Sequence, residues 1–213
     1  MVIVLNKQAS IANQFLYEMR HKDIQKDRAK FRHNLKKLGQ VMAYEVSKSL
    51  QFKKTKVNTP LSTTEVDLIN ESPVLVTILR ASMPFFEGFI DYFDQADAAF
   101  VGAYREEGKD ISVKFEYLAS PNLTDRPLII IDPMLATGKS LVTVYNKLLE
   151  KGSPSSIHFV SAVAAPEGIE YIANRLNKKY TVWTAALDEK LNSMSYIVPG
   201  LGDAGDLCYG QKE

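Results

Sequence analysis

The chain has 213 residues, of which 46% are hydrophobic and 24% charged, as expected for one α/β domain with a full apolar core. Lysine and arginine total 26 against 25 for aspartate and glutamate, and the net charge of +1 shows no footprint of a nucleic-acid partner. The single cysteine, Cys208, excludes an internal disulfide and a cysteine-based metal site. The apolar start, residues 1–5, is too short for a signal peptide or a membrane span, so we expect a cytoplasmic protein with no membrane partner.

Residues 9–50 are predicted to be helical, because apolar side chains recur every three or four positions there. These positions are Phe31, Leu35, Leu38, Val41, Met42 and Val46. Three lysines at 53, 54 and 56, followed by Pro60, indicate a break. We therefore expect residues 1–60 to form a mainly helical segment, serving as a lid or a subunit contact, and residues 61–213 to form an α/β core.

Strands and helices are predicted to alternate from residue 74 to residue 186. The predicted strands are 74–79, 98–104, 128–131, 157–163 and 180–186, and residues 111–118 are predicted as a β-arm or an extra strand. Such alternation is typical of a doubly wound, mainly parallel sheet.

Two predicted strands are followed by an arginine, Arg80 in one case and Arg105 in the other. Ligands of doubly wound sheets bind beyond the carboxyl ends of the strands, so both arginines are candidate anion ligands. A salt-bridged arginine at a loop start is the alternative. The charged loop 106–110 is a candidate lid, or else an exposed hairpin tip.

The stretch from Asp132 to Ser140 has the features of a sugar-phosphate site. It follows a buried strand and ends in a small polar turn before a helix. The free amides of a helix N-terminus bind phosphate, and Thr137 and Ser140 add hydroxyl donors. Asp132 would repel phosphate but suits the hydroxyls of the attached sugar. Pro133 excludes a Walker A loop, and an ordinary strand-to-helix turn is the alternative.

The last segment, residues 196–206, is rich in glycine and acids and is predicted to be an irregular loop. Its exposed backbone groups could read the edge of a flat heterocycle. A glycine-rich terminal turn is the alternative. The three histidines, His21, His33 and His158, are isolated in sequence and are expected to be structural or surface residues.

Together these residues resemble the uracil phosphoribosyltransferases over nearly the whole chain. The resemblance is carried by DPMLATGKS at 132–140, LRA at 79–81, YR at 104–105, AAPEGI at 164–169 and YIVPGLGDAGD at 196–206. The last string is specific to the uracil branch. The resemblance implies that uracil and 5-phosphoribosyl 1-diphosphate (PRPP) react to give UMP and diphosphate. It also implies Mg²⁺, a role in cytoplasmic pyrimidine salvage, and a homodimer or higher oligomer.

The resemblance also implies roles by position. PRPP would be bound by Arg80, Arg105, Asp132, Pro133, Met134, Leu135, Ala136, Thr137, Gly138, Lys139, Ser140 and Asp203. Uracil would be bound by Ile197, Gly202, Asp203 and Ala204. The implied catalytic residues are Asp132, Arg80, Arg105 and Asp203. No direct protein ligand to Mg²⁺ is implied, because PRPP and water would hold the ion near Asp203.

Three departures from the family pattern surround the implied diphosphate site. Ser82 stands where the family has glycine, Lys139 stands where glycine is usual, and residues 207–209 differ from the usual ending. If position 82 required a positive φ, Ser82 would be strained. The departures leave a PRPP- or UMP-binding regulator without turnover as one alternative. A phosphoribosyltransferase for another base is a second, against which the intact 196–206 string argues.

Overall fold

The computed structural model of the chain describes residues 1–106 and 112–211, and for residues 103–106 and 112–115 it describes the backbone alone. The helices in these ranges are α1 (Ile11–Arg20), α2 (Arg28–Ser47), α3 (Met83–Ile90), α4 (Lys139–Leu148), α5 (Pro166–Arg175) and α6 (Ala204–Tyr209). The strands there are β1 (Val2–Val4), β2 (Phe52–Asn58), β3 (Thr63–Ile69), β4 (Val74–Leu79), β5 (Asp97–Glu106), β6 (Ser112–Ala119), β7 (Pro127–Ile131), β8 (Met134–Leu135), β9 (Ser156–Ala164), β10 (Thr181–Leu187), β11 (Lys190–Leu191) and β12 (Ile197–Val198). None of the described helices has the length and apolar character needed to cross a membrane.

A central sheet contains eight of the described strands, in the order β1-β10-β9-β7-β4-β5-β6, with the short β8 beside β9. Neighbouring strands run parallel except β6, which is antiparallel to β5. The doubly wound, mainly parallel sheet predicted from the sequence is therefore confirmed. The stretch predicted as a β-arm or an extra strand is β6, a strand of this sheet. The lid candidate at 106–110 lies outside the described residues except for Glu106, the last residue of β5.

Helices cover both faces of the sheet because its strands carry apolar side chains on both sides. On one face α4 and α5 bury Leu141, Tyr145 and Ile172 against the strands. On the other face the core includes Leu35 and Met42 of α2, together with side chains of α1, α3 and α6. The N-terminal helices are thus part of the hydrophobic core, not a lid over it.

Residues 1–60, expected to be mainly helical, contain two helices together with strands β1 and β2. Residues 9–50 form two helices, each beginning at a capping side chain: Ser10 accepts from the Ala12 amide at 3.3 Å and Asp27 from the Lys30 amide at 3.0 Å. The lysine-rich stretch expected as a break is strand β2, which pairs with β3 in a hairpin that spans residue 60. The apolar start is strand β1, which pairs with β10 at the edge of the sheet.

The topology places a switch point between β4 and β7. These two strands are parallel neighbours, with Thr77 beside Ile131 at their carboxyl ends. From β4 the chain passes through α3 to β5 on one side, and from β7 it passes through α4 to β9 on the other. Because α3 and α4 lie on opposite faces of the sheet, a crevice opens between the two strand ends.

His158, expected from its isolated position to be structural or on the surface, is a buried structural residue of β9. His158 is only 4% exposed, and this burial lowers the pKa of its imidazole from 6.5 to about 4. The indole N–H of Trp183 donates to His158 Nδ1 at 3.2 Å, so the ring proton lies on Nε2, which contacts Ser156 Oγ at 3.1 Å. A second proton on Nδ1 would face the indole N–H, and the neutral ring is therefore the form that fits.

We predict that the protein loses stability as the pH falls from about 6.5 to about 4, because the unfolded chain takes up a proton on His158 that the folded chain excludes. The full effect is about 3 kcal/mol of unfolding free energy. Urea unfolding of the wild type and of His158→Gln across this pH range measures it. The variant should lose the pH dependence, whereas His33→Asn, at an exposed position on α2, should keep it. Equal pH profiles for wild type and His158→Gln would contradict the interpretation.

Candidate active site

A cavity of about 940 Å³ lies at the carboxyl ends of β4 and β7. Its described wall is formed mainly by three segments that are far apart in sequence. They are residues 78–81, several residues of the stretch 132–140 and several residues of the stretch 194–206. Among the residues singled out from the sequence, the wall includes Arg80, Asp132, Met134, Ala136, Ser140, Ile197, Gly202, Asp203 and Ala204. The arginine strand end, the acidic motif and the glycine-rich loop thus share one cavity.

The turn before α4 has a shape that requires glycine. Gly138 precedes the helix with φ +73°, and a Cβ there would stand 2.7 Å from the carbonyl oxygen of Gly168. A Cβ on Gly168 would in turn stand 2.3 Å from the Ala136 carbonyl oxygen. The start of α5 therefore packs directly on this turn. It fixes the backbone of the first turn of α4, whose amides lack partners within the helix.

Residues 132–135 continue the sheet past β7 and do not form a loose loop. The Asp132 amide donates to the Val160 carbonyl at 3.0 Å, and Asp132 Oδ1 accepts from the Met134 amide at 3.2 Å. The carbonyls of Pro133 and Leu135 accept from β9 and from Ala165, and both side chains are buried. These two residues hold the motif in place through their backbone, and neither belongs to the described cavity wall.

Other residues of the motif lie at the rim. Thr137 Oγ1 accepts from the Lys139 amide at 3.4 Å, a weak local bond that leaves the turn open. The Lys139 side chain is exposed at the first position of α4. Thr137, Gly138 and Lys139 are outside the described cavity wall but directly adjoin its members Ala136 and Ser140.

Arg80 follows β4 after a cis Leu79–Arg80 peptide and is exposed at the cavity. Its Nη2 donates to the Gly210 carbonyl at 3.3 Å, so this guanidinium also touches the end of the chain. Arg105 lies in β5, whose backbone is described, but its side chain falls outside the described residues.

Ser82 is not strained, contrary to the expectation for a position that needs a positive φ. It has φ −76° and ψ −16° and begins α3. Its hydroxyl is fully buried, donates to the Ile78 carbonyl, and lies 2.6 Å from Thr77 Oγ1. The serine therefore ties the loop 79–82 to the strand that precedes it.

The glycine-rich segment is only partly irregular. Residues 197–204, here named the base loop, contain the short strand β12 and a cis Val198–Pro199 peptide. Asp203 then begins α6, where its Oδ1 accepts from the Asp206 amide at 2.9 Å. The prediction that this segment contains no regular element was thus wrong at both ends.

The cavity wall carries more acid than base among the described residues. Glu116, Asp132, Asp203 and Asp206 line it together with Arg80. Carboxylate oxygens are ligands that Mg²⁺ prefers, and this ion is usually shared with substrate phosphates and water. Nowhere in the described ranges do three His, Cys, Asp or Glu side chains form a group able to hold a metal. The donor set fits a Mg²⁺ held jointly with a ligand.

Cys208 of α6 is not suited to nucleophilic chemistry. Its thiol is buried, and burial raises its pKa to about 12. The thiol is therefore protonated at neutral pH and a poor nucleophile. Arg32 Nη1 donates to the Cys208 carbonyl at 2.6 Å, so this part of α6 has a structural function.

Several wall residues had no signal in the sequence. Glu116 projects from β6, a strand with no recognisable motif, and Gln211 lies beyond α6. Asp206 lies inside the glycine-rich string and could have been chosen as its second acid. The positive φ of +63° at Ser195, another wall residue, is invisible before the structure is known.

The mainly parallel, doubly wound sheet with a cavity at its switch point has the fold of the type I phosphoribosyltransferases. The fold is shared with a hypoxanthine-guanine phosphoribosyltransferase from Bacillus anthracis, at a TM-score of 0.50 and 15% identity, covering 74% of this chain and 79% of that one. The AQ2163 protein from Aquifex aeolicus is more similar, at a TM-score of 0.88 and 32% identity, covering 99% and 98% of the two chains.

The sequence belongs to one branch of that class. The family model described as uracil phosphoribosyltransferase matches residues 7–211. A uracil phosphoribosyltransferase from Porphyromonas gingivalis is 47% identical over 213 residues, covering 99% of each chain. One from Pyrococcus furiosus is 38% identical over 201 residues, covering 93% of this chain and 85% of that protein. The chain therefore belongs to the uracil phosphoribosyltransferase family.

We predict that Ser82→Ala lowers the free energy of unfolding by about 1–3 kcal/mol, because it removes the buried hydroxyl that bonds the Thr77 hydroxyl and the Ile78 carbonyl and leaves Thr77 with only a long contact to Met83 Sδ. Adding Thr77→Val should recover part of this loss, since both polar groups are then gone. Urea unfolding of the single and double variants measures the effect. Ser47→Ala, which removes an exposed hydroxyl bond to the Tyr44 carbonyl, is the control and should change stability little. A double variant less stable than Ser82→Ala would refute the pairing.

Proposed function

We propose that this protein transfers the 5-phosphoribosyl group of PRPP to uracil, releasing diphosphate and forming UMP. The observation that carries the proposal is the shared cavity at the switch point. It joins Arg80, Asp132 and Ser140 to the base loop within about 940 Å³. A cavity of this size suits a phosphorylated sugar with a base beside it.

The turn from Ala136 to Ser140 would hold the 5′-phosphate. Its backbone is fixed by the packing of Gly138 on Gly168, so the amides at the start of α4 are pre-aligned for an anion. Ser140 adds a hydroxyl at the cavity wall, and the exposed ammonium group of Lys139 adds positive charge at the rim. Pro133, Met134 and Leu135 would support this turn through their backbone.

Asp132 would accept hydrogen bonds from the ribose hydroxyls. It stands at the end of β7, where the sheet holds its backbone, and its carboxylate lines the cavity. A sugar fixed there presents its anomeric carbon to the base, and such positioning accounts for much of the rate in a reaction of this kind. A carboxylate beside the ring also favours the positive charge that develops on it.

Arg80 and Arg105 would bind the diphosphate that leaves. Arg80 is exposed at the cavity after β4, and Arg105 belongs to the neighbouring strand β5. Mg²⁺, when bound with PRPP, supplies positive charge that stabilises the leaving diphosphate. Asp203 and Asp132 would take part in holding that ion through water, which the carboxylate-rich wall favours.

The backbone at Ile197 and at Gly202 to Ala204 would read uracil. These residues line the same cavity as Ala136 and Ser140, and uracil presents two carbonyls and N–H groups along its edge. A base that mismatched this pattern would leave buried polar groups unpaired, which discriminates strongly. No protein nucleophile is needed, and the protonated Cys208 thiol is consistent with a direct transfer.

Two other functions were open from the sequence. The regulator without turnover was motivated by the changes at Ser82 and Lys139. Ser82 adopts an ordinary helical conformation, and Lys139 is exposed, so neither change distorts the cavity. A different base would have to fit the same base loop, and no described feature favours one.

Turnover with uracil is the direct test of the proposed reaction. Protein, Mg²⁺, PRPP and uracil should yield UMP and diphosphate, and Asp132→Asn should slow this by about 100-fold or more, because the sugar is less well positioned. Asp94→Asn, in an exposed turn before β5, is the matched control and should keep full activity. PRPP binding without UMP would favour the regulator, and product formation only with another base would favour that transferase.

We further propose that the protein assembles as a homodimer or a higher oligomer through the β2–β3 hairpin. Val66 is 38% exposed and Leu68 47%, and both occupy one face of β3. An isolated two-stranded hairpin is marginally stable, and a second copy would cover this apolar face. Sedimentation equilibrium should show an oligomer that Val66→Lys with Leu68→Lys dissociates and that Asp67→Asn, on the opposite face, leaves intact. A monomeric wild type would reject this assembly.

We also propose that the protein works in the cytoplasm. The proposed reaction consumes a phosphorylated metabolite, and the single cysteine is buried as a free thiol. Cell fractionation should recover the protein with cytoplasmic enzymes, and recovery with membranes or the culture medium would contradict this location.

A further inference from the structure

An ion pair outside the described cavity wall is hydrogen-bonded to the middle of the base loop. Asp188 follows β10 and is 9% exposed, and Arg20 is the last residue of α1. Arg20 Nη2 lies 2.7 Å from Asp188 Oδ1, and Arg20 Nη1 lies 3.0 Å from Asp188 Oδ2. This bidentate pairing fixes both side chains in one orientation.

Both the amide and the carbonyl of Gly200 are hydrogen-bonded to this pair. The Gly200 amide donates to Asp188 Oδ2 at 2.8 Å, and Arg20 Nη1 donates to the Gly200 carbonyl at 3.3 Å. Asp188 is itself held by the sheet, because its amide donates to the Ala164 carbonyl at 2.8 Å. The base loop is thus fastened at its centre to a rigid strand end and to a core helix.

The tight conformation of the base loop links Gly200 to the neighbouring residues that line the cavity. Gly200 has φ +58°, and a Cβ there would stand 2.1 Å from the Ile197 carbonyl oxygen, so the turn is tightly closed. Gln25 adds a second link: with its amide oriented to satisfy both groups, its nitrogen donates to the carbonyls of Leu201 and Met19 at 2.8 Å each. Ile197 and Gly202, which line the cavity, flank the fastened segment on either side.

We propose that Arg20 and Asp188 are positioning residues for the base: they set the place of the main-chain groups that read uracil, without touching it. This inference rests on the proposed function. Main-chain groups cannot adjust by changing rotamer, so a displaced base loop loses the match to the uracil edge. The turn at residues 136–140 is anchored separately, through Gly138 and Gly168, and the base loop would serve PRPP only through Asp203 and water, so PRPP binding should depend on this pair much less than uracil binding does.

An ion pair with a purely structural function would behave differently. It would lower stability when broken and would affect both substrates alike. The chain offers such a pair in Arg126 and Asp97, at the amino end of the sheet, with Arg126 Nε also donating to the Ser72 carbonyl at 3.2 Å. Arg126→Gln therefore matches Arg20→Gln in chemistry but lies at the opposite edge from the cavity.

The experiment compares Arg20→Gln, Arg20→Lys and Arg126→Gln by two measurements. Hydrogen exchange of the amides of residues 200–206 reports the hold on the base loop, with the amides of α4 as the internal reference. Steady-state kinetics separate KM for uracil from KM for PRPP. In Arg20→Gln we expect faster exchange in 200–206 only, with KM for uracil raised about tenfold or more and KM for PRPP changed less than about twofold. Arg20→Lys keeps the positive charge but cannot make the bidentate pairing, so its exchange rates and KM for uracil should lie between those of the wild type and Arg20→Gln. Arg126→Gln should change neither measurement.

Unchanged exchange in residues 200–206, or equal changes in both KM values, would overturn the proposal. If Arg20→Gln does not fold, Arg20→Lys decides by the same two criteria. A wild type that makes no UMP would refute the proposed reaction alone. Comparing hydrogen exchange in Arg20→Gln and Arg126→Gln would then still show whether the Arg20–Asp188 pair fixes the base loop, and equal exchange at residues 200–206 would overturn the proposal.

Discussion

The parallel pairing of β4 with β7 is the contact on which the site depends. Its register sets Thr77 beside Ile131, which brings the loop carrying Arg80 and the carboxylate of Asp132 to adjacent strand ends. Both strands are buried, and their helices leave on opposite faces of the sheet. The crevice between them therefore has a rigid floor, and the groups that bind and orient ligands are supplied by the loops above it.

The sheet and the strand-to-helix turn before α4 follow from short-range patterns, which explains why they were predictable. Apolar runs such as 74–79 and 128–131 have no solvent-facing side and so indicate strands covered by helices. The acid at 132 and the small residues at 136–140 are local features of a strand-to-helix turn. Their meeting with the glycine-rich string in one cavity could be expected only through the family resemblance, because more than 50 residues separate the two segments.

What the sequence did not reveal depends on long-range contacts. Strand β1 is three residues long and is specified by its pairing with β10, while the β2–β3 hairpin has exposed strands, of which β2 is lysine-rich and resembles a linker. Asp188 is an acid directly after a buried strand, the same signal that singled out Asp132, but its function depends on Arg20, 168 positions away. Ser82 departs from the family pattern, yet its conformation and its bond to Thr77 can be judged only in three dimensions.

We propose that a sugar phosphate and a pyrimidine bind in one cavity, between a turn anchored by α5 and a loop anchored by α1 and the segment that follows it. A crystal structure of the protein with UMP tests this most directly, because the product spans both parts. We predict the phosphate on the amides of residues 136–140, the ribose hydroxyls on Asp132, and the uracil edge on the backbone of Gly202 to Ala204. UMP bound with its phosphate away from that turn, or with its base away from the base loop, would contradict the account.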